Sequence, residues 1–198
     1  MKKIYWRPRA VSKTALLLIA VLAICGQLIV ENWRFNQKQD WFEEKHRAAE
    51  MMREGMELIR EERFRLGVDI DREKDPMESG MVGLPMSPVT SISGALEAKQ
   101  TSVNPNFAAV VVEMLKDVDI KKGDTVAVGV SGSFPALNLA VYCALETLGA
   151  KPIIIASAAA SQWGANVPEL MWLDMERLLK DRGLISNRAI AASIGGYE

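Results

Sequence analysis

The sequence predicts an α/β protein: a transmembrane helix and a stalk helix, then a small Rossmann-like, three-layer domain built on a parallel sheet. Three observations carry this. Thr125–Gly149, TVAVGVSGSFPALNLAVYCALETLG, reads as a buried strand, a turn of small residues and a buried helix. Pro152–Ala156, PIIIA, is a continuous apolar run of strand length, the pattern of a parallel strand covered on both faces. Thr14–Val30, TALLLIAVLAICGQLIV, is uncharged and apolar, close to the lower limit of the roughly 17–25 residues a spanning helix needs.

Composition agrees with a globular domain carrying an appendage: of 198 residues, 49% are hydrophobic and 25% charged. The net charge is −1 and basic residues cluster only at the amino terminus, so no nucleic-acid partner is expected. The two cysteines are Cys25, inside the apolar run, and Cys143, inside a core helix. A bilayer-embedded thiol does not reach a core thiol, so no intrachain disulfide is expected.

Lys2, Lys3, Arg7, Arg9 and Lys13 precede the apolar run without an acidic residue, whereas Glu31 and Arg34 begin a mixed region after it. This asymmetry keeps the amino terminus in the cytoplasm and puts the bulk of the chain outside it, in a single-pass membrane protein. Tyr5 and Trp6 on one side and Trp33 and Phe35 on the other suit the interfacial belts, and Lys13 can snorkel. A cleaved signal peptide has similar regions, but Leu22–Cys25 resembles a lipoprotein box only loosely and cleavage is not expected. The segments are thus a cytoplasmic basic tail (1–13), a signal anchor (14–32), a juxtamembrane amphipathic helix (33–66), a connector or lid (67–103) and an α/β domain (104–198).

Strong helix formers fill the region from Trp33 to about Arg65, with Ala48, Ala49, Met51, Met52, Met56, Leu58 and Ile59 forming one apolar stripe. The stripe predicts a stalk packed on its own domain, the alternative being a short coiled coil between copies in a homo-oligomer. Pro76, Gly80, Gly83, Pro85 and Pro88 mark the connector. Asn104–Pro105 supplies a cap and first-turn proline for a helix to about Asp117. Strands follow at about Thr125–Val130, Pro152–Ala156 and Ala189–Ile194, ending at Gly195–Gly196. Between the last two, Asn166, Pro168 and Glu169 suggest the cap of a helix running to about Arg182. Two right-handed βαβ units result. Three strands bury little area, and the Ala136–Leu148 helix is apolar nearly all round, which leads us to expect a truncated sequence or a domain completed by a partner.

Candidate chemistry lies at the carboxyl ends of the strands. Gly129–Ser133 resembles a nucleophile elbow, but Ser133 replaces its last glycine, and the only histidine, His46, belongs to the stalk among charged neighbours. An anion cradle fits better: Ser131 and Ser133 offer hydroxyls, Gly132 permits close backbone approach and Pro135 presets the first helical turn. The alternative is a tight turn with a hydroxyl cap and no ligand. Ser161, Gln162 and Trp163 follow the adjacent strand and face the same crevice. Asn166 reads as a helix cap, Met171 and Trp172 as core. No Cys/His cluster, Asp-rich loop or Gly-rich phosphate motif is present, so neither metal nor cofactor is expected. Asp174 and Glu176, two apart on a helix, do not form an acid/base pair.

The runs SPVTSISGALEAKQTSVNPNFAAVVVEMLK, VAVGVSGSFPALNLAVYCALETLG and SAAASQWGANVPELMWLDMERLL together resemble the poly-gamma-glutamate system protein family of membrane-anchored proteins. The likeness covers roughly Gly83 to Gly196 and the anchor, and the family's members continue beyond the last residue here. It implies an accessory role in poly-γ-glutamate capsule or secreted-polymer biosynthesis or export, with the membrane, other components of that complex and the anionic polymer or its precursor as partners. The same crevice on an enzyme would make the protein a serine-dependent amide hydrolase or transferase of that polymer. A membrane scaffold without a small ligand is the third alternative.

Overall fold

A computed structural model describes residues 12–32 and 38–195 of the chain. The predicted roles of Lys2, Lys3, Tyr5, Trp6, Arg7, Arg9, Trp33, Arg34, Phe35 and Gly196 lie outside the described residues. Two compact units are present, Met1–Gln39 and Asp40–Glu198.

The first unit holds helix α1 (Lys13–Asn32), of 20 residues. Ser12 caps it: its Oγ accepts from the Ala15 amide at 3.2 Å. No residue of α1 is buried, and its apolar side chains from Leu16 to Val30 are all exposed. A rise of 1.5 Å per residue gives about 30 Å, the thickness of a bilayer's hydrocarbon core, so α1 is long and apolar enough to cross a membrane.

The second unit is mixed α/β. Helix α2 (Phe42–Arg65) begins later than the predicted stalk, residues 38–41 being coil and turn. Ala48, Met52, Met56 and Ile59 are all buried, and α2 packs against helices α4 (Asn106–Asp117), α5 (Pro135–Leu148) and α6 (Trp172–Asp181). The centre of the stripe is therefore spent on the domain's own core, as expected of a stalk that packs on its own domain, while Ala49, Met51 and Leu58 are half-buried. At Gly55 an added Cβ would stand 2.8 Å from Leu184 and 3.0 Å from Leu139, so the helices meet closely there.

The connector has a fixed course. Arg63, 2% exposed, donates to the carbonyls of Gly80 (3.2 Å), Val82 (2.6 Å) and Asp69 (3.1 Å), and burial lowers its pKa. Buried Asp75 accepts from the Ser79 hydroxyl and the Gly80 amide. Strand β1 (Thr90–Ile92) and helix α3 (Leu96–Ser102) follow within what reads as connector in the sequence.

Strands β2 (Thr125–Ser131), β3 (Lys151–Ser157) and β7 (Ala191–Ser193) form a parallel sheet in the order β2–β3–β7. Short strands complete the list: β4 (Ala160–Ser161) pairs with β1, and β5 (Asn166–Val167) with β6 (Leu170–Met171) in a hairpin. Because spatial and chain order coincide, crossovers of one hand put their helices on one face of the sheet. Val126, Val128, Val130, Ile154 and Ala156 point to that face, while Ala127, Gly129, Ile153 (47% exposed) and Ile155 (56%) point away. The expectations that PIIIA is covered on both faces and that the domain has three layers are thus corrected: one face of the sheet is open among the described residues, which leaves one helical layer on the sheet. The all-round apolar character of α5 has its own explanation. It is covered by α2 and α4, which precede it in the chain.

Candidate functional site

Strand β2 delivers Ser131 to the carboxyl edge of the sheet, and Pro135 starts α5 four residues on. Phe134, just before the helix, has φ −132° and no side-chain cap, so the turn leaves the first helical amides without a capping acceptor. Pro135 has no N–H; the Ala136 and Leu137 amides have no carbonyl to pair with inside the helix, whose ladder opens with Asn138 N–H donating to Phe134 O at 3.0 Å. Asn138 also closes the turn from within, its Nδ2 donating to Ser131 O at 2.7 Å.

The structure brings the six sequence candidates together. The Ser161 amide donates to Ser133 Oγ at 3.1 Å, the Ala165 amide to Gly132 O at 2.7 Å and the Gly132 amide to Ser157 O at 3.1 Å. Gly132 lets the two segments meet closely here: a Cβ there would stand 3.0 Å from the Ala158 and Ala159 carbonyls, so a side chain would push them apart. Gln162 Oε1 accepts from the Gly94 amide at 3.1 Å, and Trp163, with φ +63°, donates its amide to Leu84 O at 2.9 Å. The Ser133 oxygen and the Gly132 backbone thus tie the loop after β3 to the β2–α5 turn, while Gln162 and the Trp163 amide tie the same loop to the 84–94 segment; the Ser131 and Ser133 hydroxyls serve here as acceptors. Together they form a built wall.

Asn166 does not cap a helix. It is fully buried, its Oδ1 accepting from the Leu84 amide (2.7 Å) and its Nδ2 donating to Leu84 O (2.8 Å) and Thr90 Oγ1 (2.9 Å). The helix starts later, at Trp172, where Asp174 Oδ2 accepts from the Met171 amide at 3.1 Å. Asn166–Pro168–Glu169 imitates a cap locally, but the chain turns back there as the β5–β6 hairpin. Trp172 is in the core as expected, and Met171 is half-buried.

The residue that sequence reasoning missed is Lys99. It lies on α3, three residues from both Leu96 and Ser102, on the side of that helix turned to the protein. Only 3% of it is exposed, and its Nζ stands 3.3 Å from the centroid of the Phe134 ring, at the amino terminus of α5. Among the described residues it makes no hydrogen bond and no ion pair, in contrast to buried Lys45, which pairs with Glu113 at 3.3 Å. Burial pushes its pKa down to about 8, with no carboxylate opposing the effect. Nothing in ALEAKQTS distinguishes Lys99 from a solvated lysine, because its burial arises from the packing of α3 against α5.

A cavity of about 410 Å³ adjoins the wall, lined in part by Val89, Ser91, Ala158, Ala159 and Ile194. No charged residue lines it. No group of acidic, histidine and cysteine side chains that could hold a metal exists among the described residues. His46 is exposed beside Glu50 at 3.3 Å, the solvated position its neighbours predicted. Compared with models of protein families, with curated proteins and with solved structures, the chain matches none.

Proposed function

We propose that this chain is a membrane-anchored accessory component of poly-γ-glutamate biosynthesis or export, and that its Rossmann-like domain holds the anionic polymer or a precursor at the carboxyl edge of the sheet. The observation that carries this reading is Lys99, a buried side chain whose ammonium has no hydrogen-bond or ion-pair partner among the described residues and stands on the ring of Phe134, the residue that opens α5. A lone buried cation is unfavourable until it meets an anion, and helix amino termini favour the same sign of ligand. The likeness of three sequence runs to the poly-gamma-glutamate system proteins supports the choice of polymer. The length and apolarity of α1 support the anchor, and the basic residues preceding it support a cytoplasmic amino terminus with the domain outside. Binding is favoured over hydrolysis because the single histidine, His46, is exposed on α2 beside Glu50, and among the described residues no side-chain base is hydrogen-bonded to Ser131 or Ser133.

Deleting the gene in its native host is expected to reduce secreted poly-γ-glutamate severalfold, with recovery on return of the full chain but not of a chain lacking 1–39. Unchanged polymer yield and length in the deletion strain would remove the support for this role.

A further inference from the structure

We propose that Lys99 and the first turn of α5 form a receptor for a single carboxylate group, with Lys99 supplying the charge and the Ala136 and Leu137 amides the directed donors. The inference deepens the reading above and rests on it only for the identity of the polymer that carries the carboxylate.

Two independent features meet at Phe134. Helix α5 runs for 14 residues, so its peptide dipoles add to a positive end at Pro135, where no side chain of the protein caps the free amides. Lys99 comes from a different element, is 97% removed from solvent by its 3% exposure, and ends against Phe134, the residue that opens this helix. Structural lysines that are buried normally find a carboxylate or carbonyl, as Lys45 does with Glu113. Lys99 meets only an aromatic face, which holds the ammonium in position without neutralising it.

The acidic residue on α3, Glu97, is exposed, while the β2–α5 turn facing Lys99 from Ser131 to Pro135 carries no charged side chain. An arriving anion therefore meets no competing carboxylate from either element. One ammonium plus a helix terminus matches one negative charge. A phosphate dianion, by contrast, is generally held by a bidentate arginine or by several charged donors, and neither α3 nor the turn from Ser131 to Pro135 carries an arginine.

The arrangement has a stability signature. Lys99 binds its proton less well when folded, its pKa lying near 8 where the ordinary value is 10.5. The unfolded chain thus binds more protons in this window, and the ammonium's penalty is full below pH 8 and fades as the pH rises toward 10.5. A bound carboxylate removes the same penalty at neutral pH.

The test uses the full chain in detergent micelles, titrated calorimetrically with a γ-linked glutamate oligomer, with acetate and with inorganic phosphate, in the wild type and in Lys99→Met. Oligomer and acetate are expected to bind the wild type, and the substitution to weaken both about tenfold to a hundredfold. In anion-free buffer Lys99→Met should melt a few degrees higher below pH 8, the gap closing above it. A lower melting temperature with unchanged carboxylate binding would make Lys99 a clamp for Phe134 and overturn the proposal. So would Lys99-dependent binding of phosphate without acetate. Lys99-dependent binding of acetate but not of the oligomer would uphold the carboxylate site and overturn the polymer reading alone. Should Lys99→Met fail to fold, Lys99→Gln carries the same comparison.

Discussion

Glu176→Ala is expected to lower the unfolding free energy by about 3–5 kcal/mol, a large part of the roughly 5–15 kcal/mol that holds a domain together. Glu176 is 1% exposed and joins three elements. Its Oε1 accepts from the Tyr142 hydroxyl on α5 and, at 2.7 Å, from the Ala189 amide that leads into β7; its Oε2 stands 3.6 Å from Arg188 Nε. Burial first, and the Glu176 carboxylate second, hold the Tyr142 hydroxyl well above its ordinary pKa, so it stays a donor throughout the accessible range. Truncation strands that hydroxyl and the Ala189 amide without an acceptor and opens a cavity beside Trp172, whose indole N–H already lacks a partner. Urea denaturation of the full chain in micelles measures the loss. A decrease below 1 kcal/mol would show that the carboxylate's burial cancels its bonds.

Asn166→Ala is expected to cost about 2 kcal/mol, because it leaves the Leu84 amide unpaired and takes one of two donors from the Leu84 carbonyl, which keeps the Trp163 amide. Its effect should be local as well as global. The 83–90 segment rests on the 161–167 loop, so closely that a Cβ on Gly83 would lie 1.9 Å from Gly164 O. Without the Asn166 clamp, amide exchange of Leu84 and Gly83 should quicken more than that of β2 or β3. Equal acceleration everywhere would mean that the clamp serves global stability only.

These residues also show where the sequence is informative. Strands β2 and β3 and helix α5 are legible because their signals are local: apolar runs, a small-residue turn and a proline at the helix start. The stripe on α2 is equally legible, and so is its burial. What it packs against is not, since α5 and α6 lie far along the chain. Asn166 misleads because a polar residue ahead of Pro168 and Glu169 has the composition of a helix cap, whereas the hairpin that overrides it depends on a partner at Leu84. Lys99 and Glu176 look like solvated charges in their own helices, and only tertiary packing buries them. The open sheet face follows from strand order, which the composition of PIIIA cannot encode.

The central claim, that α5 receives a carboxylate beside Lys99, is tested most directly by amide chemical shifts of the full chain in micelles during titration with a γ-linked glutamate oligomer. Saturable shifts at Ala136 and Leu137, abolished by Lys99→Met, are the predicted result. Shifts confined to other surfaces, or none at these two amides at saturating oligomer, would contradict it.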